Sequence, residues 1–228
     1  MSSGWASEIG AMFRKEALSE LRTRTGAVTS GVFALATIVT VSLALFNKNP
    51  NQGDLPDVCA SLIWIVLLFA SLLSLPRSFL AEEEHGTADL LRLMARPHAV
   101  FWGKVLFNLV QMGLLCVAVS ILFVILTSLR VSHPLLFAAS LLAGGAAIAV
   151  AVTLCGAIAS HAANRAALAG AIAIPLVLFP AEWGISSLRA ALGVGSTQAG
   201  IYASLGLMAY ACISLAWGPW IYAAIWKS

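Results

Sequence analysis

The residue types that carry chemistry are few in this sequence, and they are scattered. Cys59, Cys116, Cys155 and Cys212 stand singly within or beside apolar stretches. No Cys-x-x-Cys or Cys/His cluster occurs, so disulfide, zinc and covalent-haem chemistry have little support. Buried thiols acting as small apolar side chains are the plainer reading. His85, His98, His133 and His161 are not paired by spacing. His133 as an axial haem ligand is the weaker alternative to an ordinary loop histidine. Glu82, His85 and Asp89 have helical spacing for a metal, but Gly86 interrupts them. A solvated charge run is the default there. Gly-x-Ser-x-Gly and His-Glu-x-x-His are both absent, and Glu182, beside Trp183, is the one acid at the edge of a late apolar stretch. No Gly-x-x-x-x-Gly-Lys-Ser/Thr loop exists either, so this chain cannot cradle nucleotide phosphates as P-loop proteins do.

The elements that would position these residues are apolar helices. Of 228 residues, 60% are hydrophobic and 10% charged, against about a quarter charged in a soluble domain. The net charge of +3 is too small to suggest nucleic-acid binding. A bilayer core about 30 Å thick needs about 20 apolar residues in a helix. Six stretches qualify: 26–46, 58–75, 100–126, 135–160, 166–181 and 200–226. The fold class is therefore an all-α integral membrane protein, one domain over 1–228 with six transmembrane helices. The fifth stretch contains Pro175 and Pro180 and is expected to be kinked or broken. The one long connector, 77–98, follows the second span.

Charge sets the orientation. Ten Lys and Arg residues (Arg14, Lys15, Arg22, Arg24, Arg77, Arg92, Arg96, Lys104, Arg165 and Lys227) fall on one side, and Lys48, Arg130 and Arg189 on the other. The basic excess marks the cytoplasm and puts both termini there. The first span is expected to be too long for a cleaved signal, and it begins only after residues 1–25, which are themselves patterned. They place Trp5, Ile9, Met12, Phe13, Ala17 and Leu21 on one broad face, as in a helix lying in the membrane interface. Glu16 and Glu20 fall on that same face. Glu20 is expected to pair with Arg24, four residues on; Glu16 has no partner visible in sequence.

Lys104, Asn108 and Gln111 form an intramembrane polar stripe at i, i+4 and i+7 of the third span. Such residues hold helices together or mark pathways, although Lys104 is close enough to the end to snorkel. Gly144, Gly145, Ala149, Thr153 and Gly156 make the fourth span rich in small residues. That composition reads as close helix packing rather than a substrate groove.

The connector is the most informative segment. Pro76 ends the second span, Glu82, Glu83 and Glu84 form an acidic run, and the chain turns at Gly86. A short helix then carries Asp89 near its N-terminal end and Leu90, Leu91, Leu93 and Met94 on an apolar face, until Pro97 stops it. A helix of that kind outside the spans asks for a partner protein, or else lies on the lipid surface.

The run Trp64-Ile65-Val66-Leu67-Leu68-Phe69-Ala70-Ser71-Leu72-Leu73-Ser74-Leu75, then Arg77, Phe79, the acidic cluster, Gly86 and Leu90-Leu91, resembles the haem exporter protein B (CcmB) family. Pro97 with Lys104, the 154–159 run and the prolines of Pro175-Leu176-Val177-Leu178-Phe179-Pro180 agree with it. The resemblance implies an ABC-2-type permease of cytochrome c maturation in the bacterial inner membrane, not itself an enzyme. ATP would be bound by a CcmA-like ATPase, with CcmC-, CcmD- and CcmE-like proteins as further partners. Haem would be handled at the level of the complex. Glu82, Glu83, Glu84, Gly86, Asp89, Leu90, Leu91 and Met94 would then be the ATPase-coupling residues. An exporter of lipid, glycan or drug, and a non-transporting scaffold, remain the alternatives.

Overall fold

The computed structural model describes residues 4–84, 86–159 and 165–226. Expectations resting on His85, His161 and Lys227, and on the side chains of Glu83, Glu84, Asp89, Arg92 and Arg165, lie outside the described residues. Among those described there are helices and turns but no strand. In chain order they are α1 (Trp5–Thr23), α2 (Thr25–Leu45), α3 (Leu55–Ser74), α4 (Arg77–Glu84), α5 (Ala88–Met94), α6 (Pro97–Thr127), α7 (Pro134–Ala159), α8 (Arg165–Ala191) and α9 (Thr197–Trp226). Six of them, α2, α3 and α6 to α9, are long and apolar enough to cross a membrane. The chain is a multi-pass membrane protein.

Prolines set several boundaries. Pro56 and Pro97 sit in the first turns of α3 and α6, where a missing N–H costs nothing. Pro76 interrupts the helix between α3 and α4. Helix α8 is not broken at Pro175 or Pro180, and it runs to Ala191 rather than ending at 181. Pro180 has no N–H for the carbonyl of Leu176, and the Tyr210 hydroxyl on α9 donates to that oxygen at 2.8 Å instead. Beyond the expected end, Ser187 meets Ser204 at 2.6 Å and Arg189 clamps Asp57 of α3 through two bonds of 2.8 and 2.7 Å.

The core gathers around α7, where every residue from Ala147 to Ala157 is buried. A helix buried on all sides must be approached closely, and small side chains permit it. Trp64 of α3 lies against Gly144 of α7 and Gly184 of α8, and a methyl group at either glycine would fall inside its ring. Gly145 meets Cys116, and Gly156 meets Pro76. The small residues of the fourth span thus pack the subunit's own interior. Outward, Val28, Val32, Leu35, Val39 and Leu43 of α2 form one exposed apolar face toward lipid.

Packing of this kind makes a measurable demand. Gly144→Ala is expected to lower the melting temperature in detergent, since overpacking costs about 1–3 kcal/mol. Gly113 of α6, with nothing within 4 Å of an added methyl group, is the control. Gly113→Ala should leave the melting temperature unchanged or slightly raised. Equal melting of the two variants would contradict the Trp64 contact.

Candidate functional site: a buried charge cluster behind the connector

At 31 residues, α6 is about 46 Å long at 1.5 Å per residue. That exceeds a bilayer core of about 30 Å, and the fully buried Lys104 and Asn108 lie in its first half. There α1 lies beside it, running in the same direction: Glu8 near Arg96 at 3.8 Å, Met12 against Gly103, Glu16 on Lys104. The apolar face of α1 therefore closes on protein. Met12 is buried, Ile9, Phe13 and Ala17 are half-buried, and Phe13 meets Phe107 edge-on at 6.5 Å. Trp5 and Leu21 remain exposed.

Lys104 does not snorkel. It is fully buried, and its ammonium uses all three donors. One goes to Glu16 Oε1 at 3.0 Å, one to Glu82 Oε2 at 2.9 Å, and one to the carbonyl oxygen of Ser78. The Phe79 ring packs at 4.7 Å from the same nitrogen. Lys15 adds a second cation, bonded to Glu82 and, at 3.2 Å, to Glu16. Burial works against its charge, but the two carboxylates outweigh that and hold its pKa above the usual lysine value. Two acids and two bases from α1, α4 and α6 thus balance within one site.

This arrangement corrects two expectations. Glu16 does have a partner, 88 residues away in sequence. Glu82 is not part of a solvated run; its side chain is 11% exposed and bridges both lysines. Glu20 differs as well. It accepts from the Ala27 backbone N–H at 2.7 Å, capping α2, rather than pairing with Arg24, whose Nε donates to the Leu21 carbonyl.

The rest of the polar stripe divides among neighbours. Asn108, fully buried, donates from Nδ2 to Thr153 Oγ1 of α7 at 2.8 Å, to the Leu75 carbonyl at 3.2 Å and to Ser78 Oγ at 3.3 Å. The Leu75 carbonyl lies at the Pro76 interruption, so Asn108 satisfies a backbone group that the helix break leaves open. Gln111 is half-buried and shares the neighbourhood of Gly26 with Glu20, at the corner between α1 and α2.

The connector beyond Glu82 is held at one end and open at the other. Gly86 has φ +65°, a conformation open mainly to glycine. On α5, Leu90, Leu93 and Met94 are 58%, 86% and 79% exposed. Leu91 turns inward onto the cluster of Met12, Phe79, Val100 and Phe101. Of the four apolar residues expected on one face, three are presented outward and Leu91 anchors the helix to the bundle.

No group of three His, Cys, Asp or Glu side chains that could hold a metal gathers among the described residues. His98 meets Trp220 edge-on at 5.8 Å, and His133 Nε2 lies 3.4 Å from Thr197 Oγ1. Sequence reasoning missed the charge cluster, although it held a signal. An unpaired Glu16 on an apolar face and a lysine inside a span are complementary. Lys104→Met should leave Lys15 as the one cation for two carboxylates and destabilise the fold by up to about 3–5 kcal/mol, read as a lower melting temperature. Adding Glu16→Gln and Glu82→Gln should recover much of the loss. An unchanged melting temperature for Lys104→Met would contradict the cluster.

Comparison with known proteins covers nearly the whole chain. The family described as CcmB protein matches residues 8–226. A protein named heme exporter protein B from Bradyrhizobium diazoefficiens is 27% identical over 217 residues, covering 95% of this chain and 96% of its own. A second of that name, from Rhodobacter capsulatus, is 32% identical over 144 residues, covering 63% of this chain and 64% of its own. With a match that runs from α1 to the last turn of α9 and takes in the whole charge cluster, the chain belongs to the CcmB family.

Proposed function

We propose that this chain is the permease subunit of a haem-exporting ABC-type complex for cytochrome c biogenesis in a bacterial inner membrane, with both termini cytoplasmic. In this reading it couples ATP hydrolysis in a CcmA-like partner to haem delivery or to release of a haem-loaded chaperone. CcmC-, CcmD- and CcmE-like proteins complete the assembly, and ATP is bound by the partner. Membership of the CcmB family and the names of the two relatives support the haem-exporter assignment. The single observation that carries the coupling role is the connector: an exposed apolar edge on α5, joined through Gly86 to a helix whose Glu82 is bonded to Lys104.

The mechanical logic follows from that chain of contacts. A partner seated on Leu90, Leu93 and Met94 buries apolar surface on a short, rigid helix. Displacing α5 pulls on α4, and α4 cannot slide without breaking charge-assisted bonds in a buried setting. The motion is therefore passed to α1 and α6 rather than absorbed in the connector. Haem is cargo here, and no step is assigned to a haem ligand of this chain.

Leu90→Asp and Leu93→Asp are expected to reduce ATPase co-purification with tagged permease, since truncating an interface anchor typically costs more than about 1 kcal/mol. Both should still insert, because α5 lies outside the six spans. Leu91→Asp is a poorer probe, as it also disturbs the subunit's own packing. A cysteine at position 93 should be labelled only after cells are permeabilised. Full recovery of the ATPase with both aspartates would refute docking, and labelling from outside intact cells would refute the orientation.

A further inference from the structure

We propose that the outer flank of α1 seats the phosphate headgroups of anionic lipids in the leaflet from which α2 enters the membrane. The other cations near α1 have carboxylate partners, whether buried like Lys104 or exposed like Lys15 and Arg96: Lys15 and Lys104 meet Glu16 and Glu82, and Arg96 meets Glu8. Arg24 is turned back onto the Leu21 carbonyl. Arg14 and Arg22 are exposed, and among the described residues no carboxylate pairs with either. They stand on one flank of α1 with Leu18 midway, about 12 Å apart at 1.5 Å per residue.

The same flank borders an open, shallow depression lined by α1 residues between Ala11 and Thr23, both arginines, Lys15 and Leu18 among them. Such an open site does not desolvate a small free anion, but it admits the headgroups of adjoining lipids. Its apolar component points the same way, with Leu18 54% and Leu21 68% exposed beside the guanidinium groups. A surface of alternating Arg and Leu suits the boundary between headgroup and acyl chain.

Depth is fixed by the chain itself. Helix α1 ends at Thr23 and the span α2 begins at Thr25, so Arg22 stands at the level where the chain enters the membrane. Below it, the exposed Val28 and Val32 of α2 continue the apolar surface. Guanidinium groups bind phosphate oxygens bidentately, and juxtamembrane basic residues are drawn to anionic leaflets. This reading does not depend on haem or on ATPase docking.

The test uses the full chain purified in detergent, titrated with phosphatidylglycerol, phosphatidylcholine or inorganic phosphate. Retained lipid is read by native mass spectrometry and stability by melting temperature. Wild type should retain phosphatidylglycerol and gain melting temperature from it, with little response to phosphatidylcholine or inorganic phosphate. Arg14→Gln/Arg22→Gln should lower phosphatidylglycerol retention roughly tenfold while melting normally without lipid. Arg14→Lys/Arg22→Lys should keep part of the retention, which guards against misfolding as the cause. Undiminished retention in the glutamine variant, or equal stabilisation by phosphatidylcholine or inorganic phosphate, would overturn the proposal. So would a glutamine variant that keeps its lipid but loses co-purifying proteins, since the flank would then belong to an acidic partner.

Discussion

A lysine buried in a membrane protein must be answered by acceptors, and in this chain that constraint organises the half of the bundle that carries α1, α4 and α5. Leaving an ammonium unpaired there would cost several kcal/mol. Lys104 is answered by Glu16 from α1, Glu82 from α4 and the Ser78 carbonyl beside the Pro76 break. These bonds add to the apolar packing of Met12 on α1 and Phe79 on α4 against α6. Helix α1 lies outside the spans, and α4 is only eight residues long, too short to be stable alone. Satisfying one charge adds to the hold on both.

The opposite half is built on different physics. There the helices approach through glycine, with Trp64 filling the space at Gly144 and Gly184, and the proline-bearing α8 is completed by Tyr210. Tight contacts of this sort have few alternative arrangements. In the proposed coupling role, the bundle would supply a rigid body and the connector a lever whose fulcrum is the charge cluster.

How much of this was legible depends on range. Span number and helical class follow from local apolarity, and Gly86 and the exposed edge of α5 follow from local turn and face patterns. The end of the fifth span was misjudged because Glu182, Ser186, Ser187 and Arg189 lower local hydropathy. The helix continues there because Ser204 and Asp57 satisfy Ser187 and Arg189 across the bundle. The partners of Glu16, Glu82 and Leu91 were hidden for the same reason. They are set by how α1, α4, α5 and α6 meet, and no periodicity within one segment records that meeting.

The central claim is that Glu82 and Lys104 act as one unit linking connector to bundle, and a double-mutant cycle measures this directly. Unfolding stability in detergent would be compared for wild type, Glu82→Gln, Lys104→Met and the double variant. Residues sharing a buried ion pair are expected to be non-additive by about 0.5–3 kcal/mol, the double variant being less damaged than the sum of the singles. Additive losses would mean that the two side chains act independently, and the charge pair would then not be what ties the connector to α6.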